Sequence, residues 1–365
     1  MLLERFYKLF PVPVALELTT VGLDISDESI KFAELVYGRG GYRLGRYGDL
    51  TLPPGTIMSG KIADKVKLTE VLKQVKKENG FDYVHVSLPE EESFVVRMNI
   101  PREEPRLLHD SVLLQLEEYI PVPADQVNYD YEIYSEPKGT DGNFKLGVYS
   151  APKELIADYT GVLSEAGLKP ASLEIEVQSA ARALIPAGDQ GTYMIADLGK
   201  TRTGFSIVSH GVVMFASTIK SIGGENLTSA VAKALNISFE EAEKVRIKNG
   251  LLNSPENKAV FEALLPIASL FKDEISRHFS FWDSLIESHE VGDKISRLIC
   301  CGGQANLPGL PEYISADLSV PVVIGDPWVY FMDTKKQHPP LPFNASLRYA
   351  AAIGLALRGI NSHLL

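Results

Sequence analysis

From Val21 onward, short runs rich in branched and aromatic residues repeatedly give way to stretches whose apolar positions recur every three or four residues. Alternation of strand-like and helix-like periods in one chain predicts an α/β fold. Residues 21–25, 30–36 and 42–50 read as three strands, the last two joined by the glycine-rich turn Gly38-Arg39-Gly40-Gly41, which makes a β-meander. Residues 65–79, with Val71, Leu72 and Val75 on one face, read as a helix, and 83–88 as the next strand.

A different order follows. Residues 93–100 read as a strand, 105–120 as a helix with Leu108, Val112, Leu116 and Ile120 at i, i+4 spacing, then 129–135 and 144–150 as strands. A helix over 153–166 and a strand over 171–176 close the section. The meander then recurs at 193–197, 203–208 and 212–219, a repetition that predicts two lobes built on related plans. Helices are expected at 225–235 and 239–249, the second opened by a capping box of Ser238 and Glu241. A further helix from Ser254-Pro255 to Ile286 is expected, either continuous or broken at Pro266, since an interior proline lacks the N–H for the helical ladder. Residues 296–301 read as a strand ending at Gly302-Gly303, and 345–358 as an alanine-rich helix.

Composition adds bounds. A chain of 365 residues with 45% hydrophobic and 23% charged residues buries a full core and exceeds what one core supports. A net charge of −11 without a basic stripe speaks against nucleic acid as a partner. Cys300 and Cys301 are neighbours on a strand, where side chains point to opposite faces, and read as buried thiols in a reducing compartment. No secretion signal or membrane-spanning run is evident; residues 1–10 read either as a packing arm or as an amphipathic turn on a membrane.

Three turns share one chemistry, each following an apolar strand and able to bring backbone N–H groups or a carboxylate to a phosphate or its metal: 22–26, 197–203 and 302–310. Any one of them alone reads as a plain hairpin. No HExxH zinc spacing and no G-x-S-x-G nucleophile elbow occurs.

In this order the three turns resemble the phosphate 1, phosphate 2 and adenosine motifs of the actin-like ATPase fold. The strings LLQLEEYIPVPADQVNYDY (113–131), Ile222 to Thr228 followed by Phe239 to Glu243, and YAAAIGLALRG (349–359) are similar to the PilM family of type IV pilus assembly, with the division protein FtsA as a near relative. The resemblance implies a two-lobed actin-like fold: repeated mixed sheets in a first lobe (1–92, 171–188, 340–365) and a second (189–339), with an inserted strand-helix-strand-strand subdomain 1C (93–170). It implies ATP and Mg²⁺ between the lobes, with Asp24 and Asp197 facing each other across the metal. Cofactor contacts would come from Gly22 and Ser26, from Gly199, Lys200, Thr201 and Thr203, from Gly223 and Gly224, from Glu243 and Arg246 at the ribose and adenine, and from Gly302, Gly303 and Gln304 beneath the base. Glu243 with Arg246 reads equally as a surface ion pair.

Departures matter here. Asp27 and Glu28 stand where the family has hydroxyls, so they either turn outward as caps, leaving Ser26 and Ser29 as donors, or weaken nucleotide affinity. Glu176, with Gln178 as second choice, is the candidate to orient an attacking water; the plain alternative is that Glu176 caps its helix. Turnover is expected to be slow at most. The implied partner is the cytoplasmic tail of the membrane protein PilN, held beside residues 93–100 and 105–120. The pilus inner-membrane complex, its motor ATPases and self-association are further candidates. The chain is expected in the cytoplasm, reaching the inner face of the membrane only through a partner. The rival readings are an FtsA-like division protein and an actin-like ATPase or sugar kinase whose turnover is the function.

Overall fold

The computed structural model describes residues 21–38, 41–104, 106–137, 142–288, 290–332 and 338–361. The expected segment 1–10, the turn residues Arg39 and Gly40, the helix start at Pro105 and the last four residues lie outside these. The described residues form two compact units, one within Met1–Ala187, Pro327–Pro342 and Tyr349–Leu365, the other within Gly188–Asp326 and Phe343–Arg348.

The first unit opens with β1 (Val21–Ile25), β2 (Ser29–Gly38) and β3 (Gly41–Thr51), then the short hairpin β4 (Ile57–Met58) and β5 (Lys61–Ile62). The helix Lys65–Asn79 follows, capped at its start by the Asp64 carboxylate accepting from the Lys67 N–H at 3.0 Å and ended by Gly80 in the left-handed region (φ 67°). Next come β6 (Tyr83–Leu88), β7 (Phe94–Pro101), the helix Leu108–Leu116, β8 (Val127–Ser135), β9 (Asn143–Pro152), the helix Lys153–Glu165, β10 (Lys169–Ile175) and the helix Glu176–Leu184. One sheet runs β10-β6-β1-β2-β3, antiparallel across the meander and parallel beyond β1; β7-β9-β8 form a separate antiparallel sheet. Val21, Leu23, Ile30 and Phe32 pack with Leu68, Leu72 and Val75 of one helix and Tyr159, Val162 and Leu163 of another in the main core. Met98, Ile100, Leu146 and Val148 pack instead on Leu108, Val112 and Leu116 in a second, smaller core, so the strand-helix-strand-strand insertion carries its own apolar centre.

The second unit repeats the first sheet's plan. Its β11 (Thr192–Leu198), β12 (Thr203–Ser209) and β13 (Val212–Ile219) form the meander; β14 (Arg297–Cys301) and β15 (Val322–Ile324) add parallel strands, giving the order β13-β12-β11-β14-β15. Cys300 and Cys301 are both buried and neither is in a disulfide; burial alone pushes the Cys300 thiol up to about 12.

One expected helix proves continuous and another is corrected. Lys258–Glu287 is one helix with Pro266 inside it. Pro266 lies on the exposed side, while Val260, Leu264, Phe271, Ile275, Trp282 and Leu285 bury one continuous stripe, and that burial outweighs the lost hydrogen bond. The alanine-rich helix is instead Phe343–Ser346, a 3₁₀ turn at Leu347–Tyr349 and a closing helix at Ala350–Asn361. The Leu347 carbonyl accepts from the Gly302 N–H at 3.2 Å, an acceptor taken out of the helical ladder.

Candidate functional site

The Asp24 carboxylate sits at the end of β1, 3% exposed. Pairing of β1 with β2 sets it opposite Lys31, whose Nζ is 3.6 Å away, and Ser87 of β6 donates its hydroxyl to Asp24 Oδ1 at 2.9 Å. Neither Lys31 nor Ser87 was singled out in the sequence, although the tight Ser26 to Ser29 turn implies the Asp24–Lys31 register. With a hydroxyl donor and an ammonium already on it, Asp24 is a poor direct metal ligand.

Two first-unit candidates make other contacts. Gly22 is buried in β1 against the closing helix, and its missing side chain is what admits that helix. Ser26 is not a free donor, since its hydroxyl and its backbone N–H both donate to the Ser29 carbonyl at 3.0 Å and close the turn. Asp27 does act as a cap, though on a distant segment. Its two oxygens accept from the Ser59 and Gly60 N–H groups at 3.0 and 2.9 Å, in a turn where both residues have positive φ.

Gln178, not Glu176, caps the helix Glu176–Leu184: its Oε1 accepts from the Ile175 N–H at 3.1 Å. That commits the oxygen by which Gln178 would orient a water, and it moves the capping role away from Glu176.

The second unit gathers segments about a hundred residues apart. The Gly199 N–H donates to the Arg202 carbonyl at 2.9 Å and closes the β11–β12 turn. Onto this turn the helix Gly224–Leu235 docks end-on, with Gly224 and Glu225 N–H groups donating to Gly199 and Lys200 carbonyls at 3.1 and 2.8 Å. The donors of Gly199 and Gly224 are thus spent on loop-to-loop contacts rather than held for a phosphate. A Cβ on Gly223 would lie 2.6 Å from the Thr201 carbonyl carbon, so glycine there serves close backbone packing. Thr203, 1% exposed, donates its single hydroxyl proton to the Ile222 carbonyl at 2.5 Å and has none left to offer a phosphate. Lys200 pairs with Glu225 at 3.5 Å on the surface.

Gly302 also faces inward. With φ at +86°, a Cβ on it would sit 2.2 Å from Asp197 Oδ1, so the bare Cα admits the Asp197 carboxylate against this loop. Among the candidate site glycines Gly22, Gly199, Gly223, Gly224, Gly302 and Gly303, it is Gly303 that opens onto empty space. Arg246 is not a surface residue: it is 1% exposed, donates to Thr228 Oγ1 at 2.9 Å and to Gln304 Oε1 at 2.6 Å, and has Glu243 only at 3.9 Å. Burial pulls its pKa below the usual arginine range. Among the described residues no group of three or more His, Cys, Asp or Glu side chains gathers to hold a metal.

In the first unit, an open cleft of 640 Å³ lies between the helix Leu108–Leu116 and the start of β8, lined among others by His109, Leu113, Leu114, Glu117, Tyr129 and Lys153. Leu114 is 81% exposed, a large apolar side chain left on the surface, and β8 is an outer strand of its sheet. His109 stacks on Tyr129 at 4.7 Å and accepts from its hydroxyl through the backbone carbonyl at 2.9 Å; burial, the largest cause, pushes that phenol up to about 12.

A family model described as type IV pilus assembly protein PilM matches residues 22–360. The solved PilM-PilN type IV pilus biogenesis complex is similar with a TM-score of 0.77 at 21% identity, over 94% of this chain and 99% of that one. MreB5 of Spiroplasma citri bound to ADP is similar with a TM-score of 0.57 at 12% identity, over 96% of this chain and 98% of that one. The cell division protein FtsA of Enterococcus faecalis is 28% identical over 213 residues, 52% of this chain and 47% of that protein, so the match spans about half of that relative's length. At these identities the solved structures speak for the fold, which is actin-like.

Proposed function

The chain belongs to the family of type IV pilus assembly protein PilM, and from that membership we propose that it is a scaffold that docks the cytoplasmic tail of a PilN-type membrane protein and holds a nucleotide. The observation that carries the docking reading is the cleft beside β8. An extended peptide laid along an outer strand gains backbone hydrogen bonds, and its apolar side chains can cover Leu113 and Leu114. The related solved structure is a complex with PilN. Among the described residues no helix is long and apolar enough to cross a membrane, which suits attachment at the inner face of the cytoplasmic membrane through that partner. Separating membranes from cells with and without the PilN partner tests this: the protein is expected in the membrane fraction only when PilN is present, and equal membrane recovery without it contradicts the reading and favours an FtsA-like protein that grips lipid itself.

The nucleotide reading rests on the second-unit cluster and on a fold shared with an MreB5 that binds ADP. ATP would lie against Gly303 and the loops around Asp197, with Asp197 supplying a hard carboxylate oxygen on the metal side. Mg²⁺, when bound, would neutralise phosphate charge, and since no cluster of protein ligands gathers among the described residues it would be held mainly through phosphate and water. The committed donors of Thr203, Gly199 and Gly224 leave little here to stabilise developing charge, so turnover is expected to be slow.

A further inference from the structure

Three backbone pieces meet around Asp197 in the second unit, and they are not joined equally. The β11–β12 turn is tied by main-chain bonds to the helix Gly224–Leu235, as described, and to the adenosine-side loop, where the Gln304 N–H donates to the Leu198 carbonyl at 3.0 Å. Among the described residues no such main-chain bond joins the helix start to the Gly302 to Gln304 loop. Those two meet through side chains. The Gln304 side chain fills the space beside Gly224, where a Cβ would lie 2.7 Å from its amide carbon. Arg246 then spans both, with Nε on Thr228 and Nη1 on Gln304, while Thr228 Oγ1 donates back to the Gly224 carbonyl at 2.9 Å.

A guanidinium suits this place for a geometric reason. Its planar fork presents donors in two fixed directions at once, and both acceptors here are neutral oxygens, so the contact fixes position rather than neutralising a charge. A lysine ammonium on a flexible stem can serve one acceptor well, not both. Its burial also removes the side chain from the position a ligand-stacking arginine would need.

We infer that Arg246 is a positioning residue, not a nucleotide contact: through Gln304 and Thr228 it sets the separation between the helix start at Gly224 and the Gly302 to Gln304 loop, and with it the width of the base side of the site. This rests on the nucleotide reading above. It differs in what it expects of ligands that have no base. Losing Arg246 widens the gap that a purine would fill, while the turn beside Asp197 keeps its own main-chain bonds.

The test measures ATP and inorganic tripolyphosphate binding, each with Mg²⁺, to the full chain as wild type, Arg246→Met and Arg246→Lys, with thermal unfolding recorded for each. The expected result is a loss of ATP affinity of about tenfold or more for Arg246→Met, a smaller loss for Arg246→Lys, and tripolyphosphate affinity unchanged within about twofold in both. Should Arg246→Met fail to fold, Arg246→Lys carries the comparison. Equal ATP affinity in folded variants overturns the inference and leaves the nucleotide reading standing, and so does a matched loss for both ligands, which marks a merely structural residue. Wild-type protein that binds neither ligand overturns the nucleotide reading, and the inference with it.

Discussion

Gly22 in β1 passes so close to the closing helix that a Cβ on it would lie 1.9 Å from the Ala352 carbonyl oxygen and 2.6 Å from the Ala356 nitrogen. Both atoms are backbone, so neither can swing aside. Gly22→Ala is therefore expected to cost about 3 kcal/mol or more, or to prevent folding. Gly303→Ala meets nothing within 4 Å and should change stability by about 0.5 kcal/mol at most. Urea midpoints of the two variants make the comparison, and similar values would contradict it.

Glu174, 5% exposed, accepts from Arg182 at 2.5 and 2.9 Å and from Arg358 at 3.0 Å, joining β10 to the helix Glu176–Leu184 and to the closing helix. One carboxylate thus serves two guanidinium groups. Glu174→Gln removes the carboxylate that both hydrogen-bond to, leaving Glu132 as a further acidic group near them, and should destabilise the protein by about 3 kcal/mol, read by chemical denaturation.

His85, beside Ser172 at 2.6 Å, has its pKa pushed down to about 4, with burial as the largest cause. Its unfolded value is about 6.5, so the unfolded chain takes up a proton that the folded one refuses between those two pH values. The stabilisation is complete above pH about 6.5 and is lost as pH falls towards 4, amounting to about 3 kcal/mol. In His85→Gln, stability between pH 4 and 6.5 should vary less steeply than in wild type. An unchanged slope would show that other groups govern acid unfolding.

Asp197→Ala should weaken ATP binding about tenfold or more in calorimetry with Mg²⁺, and chelating the metal with EDTA should do the same to wild type. Affinity that is equal with and without EDTA would refute the metal-side role given to Asp197.

The strand and helix runs were legible because apolar spacing reports burial directly, as in Lys65–Asn79 and Val212–Ile219, whose ends coincide with the expected ones. Boundaries failed or stayed open where a distant partner decided them. Gly302 claims the Leu347 carbonyl and breaks the final helix, and a buried stripe carries Lys258–Glu287 across Pro266. In the site, the spacing located glycines and hydroxyls but not what they face. Gly22 reads the same whether it admits a phosphate or a helix. Thr203 and Ser26 read as donors until Ile222 and Ser29 are seen to take their protons. Arg246 with Glu243 reads as an i, i+3 pair, whereas its nearer partners Thr228 and Gln304 are 18 and 58 residues away in sequence.

The most direct measurement is fluorescence anisotropy of a labelled peptide matching the amino-terminal cytoplasmic tail of the cognate PilN, titrated with wild-type protein and with Leu114→Glu. Leu114 is exposed, so the substitution should leave folding intact while placing charge in the cleft. Because a short peptide loses conformational entropy on docking, wild type should bind with Kd near the micromolar range, and Leu114→Glu should weaken binding about tenfold or more. No binding at ~100-fold above that scale would contradict the docking account. So would undiminished binding by a folded Leu114→Glu protein, which would put the partner on another surface.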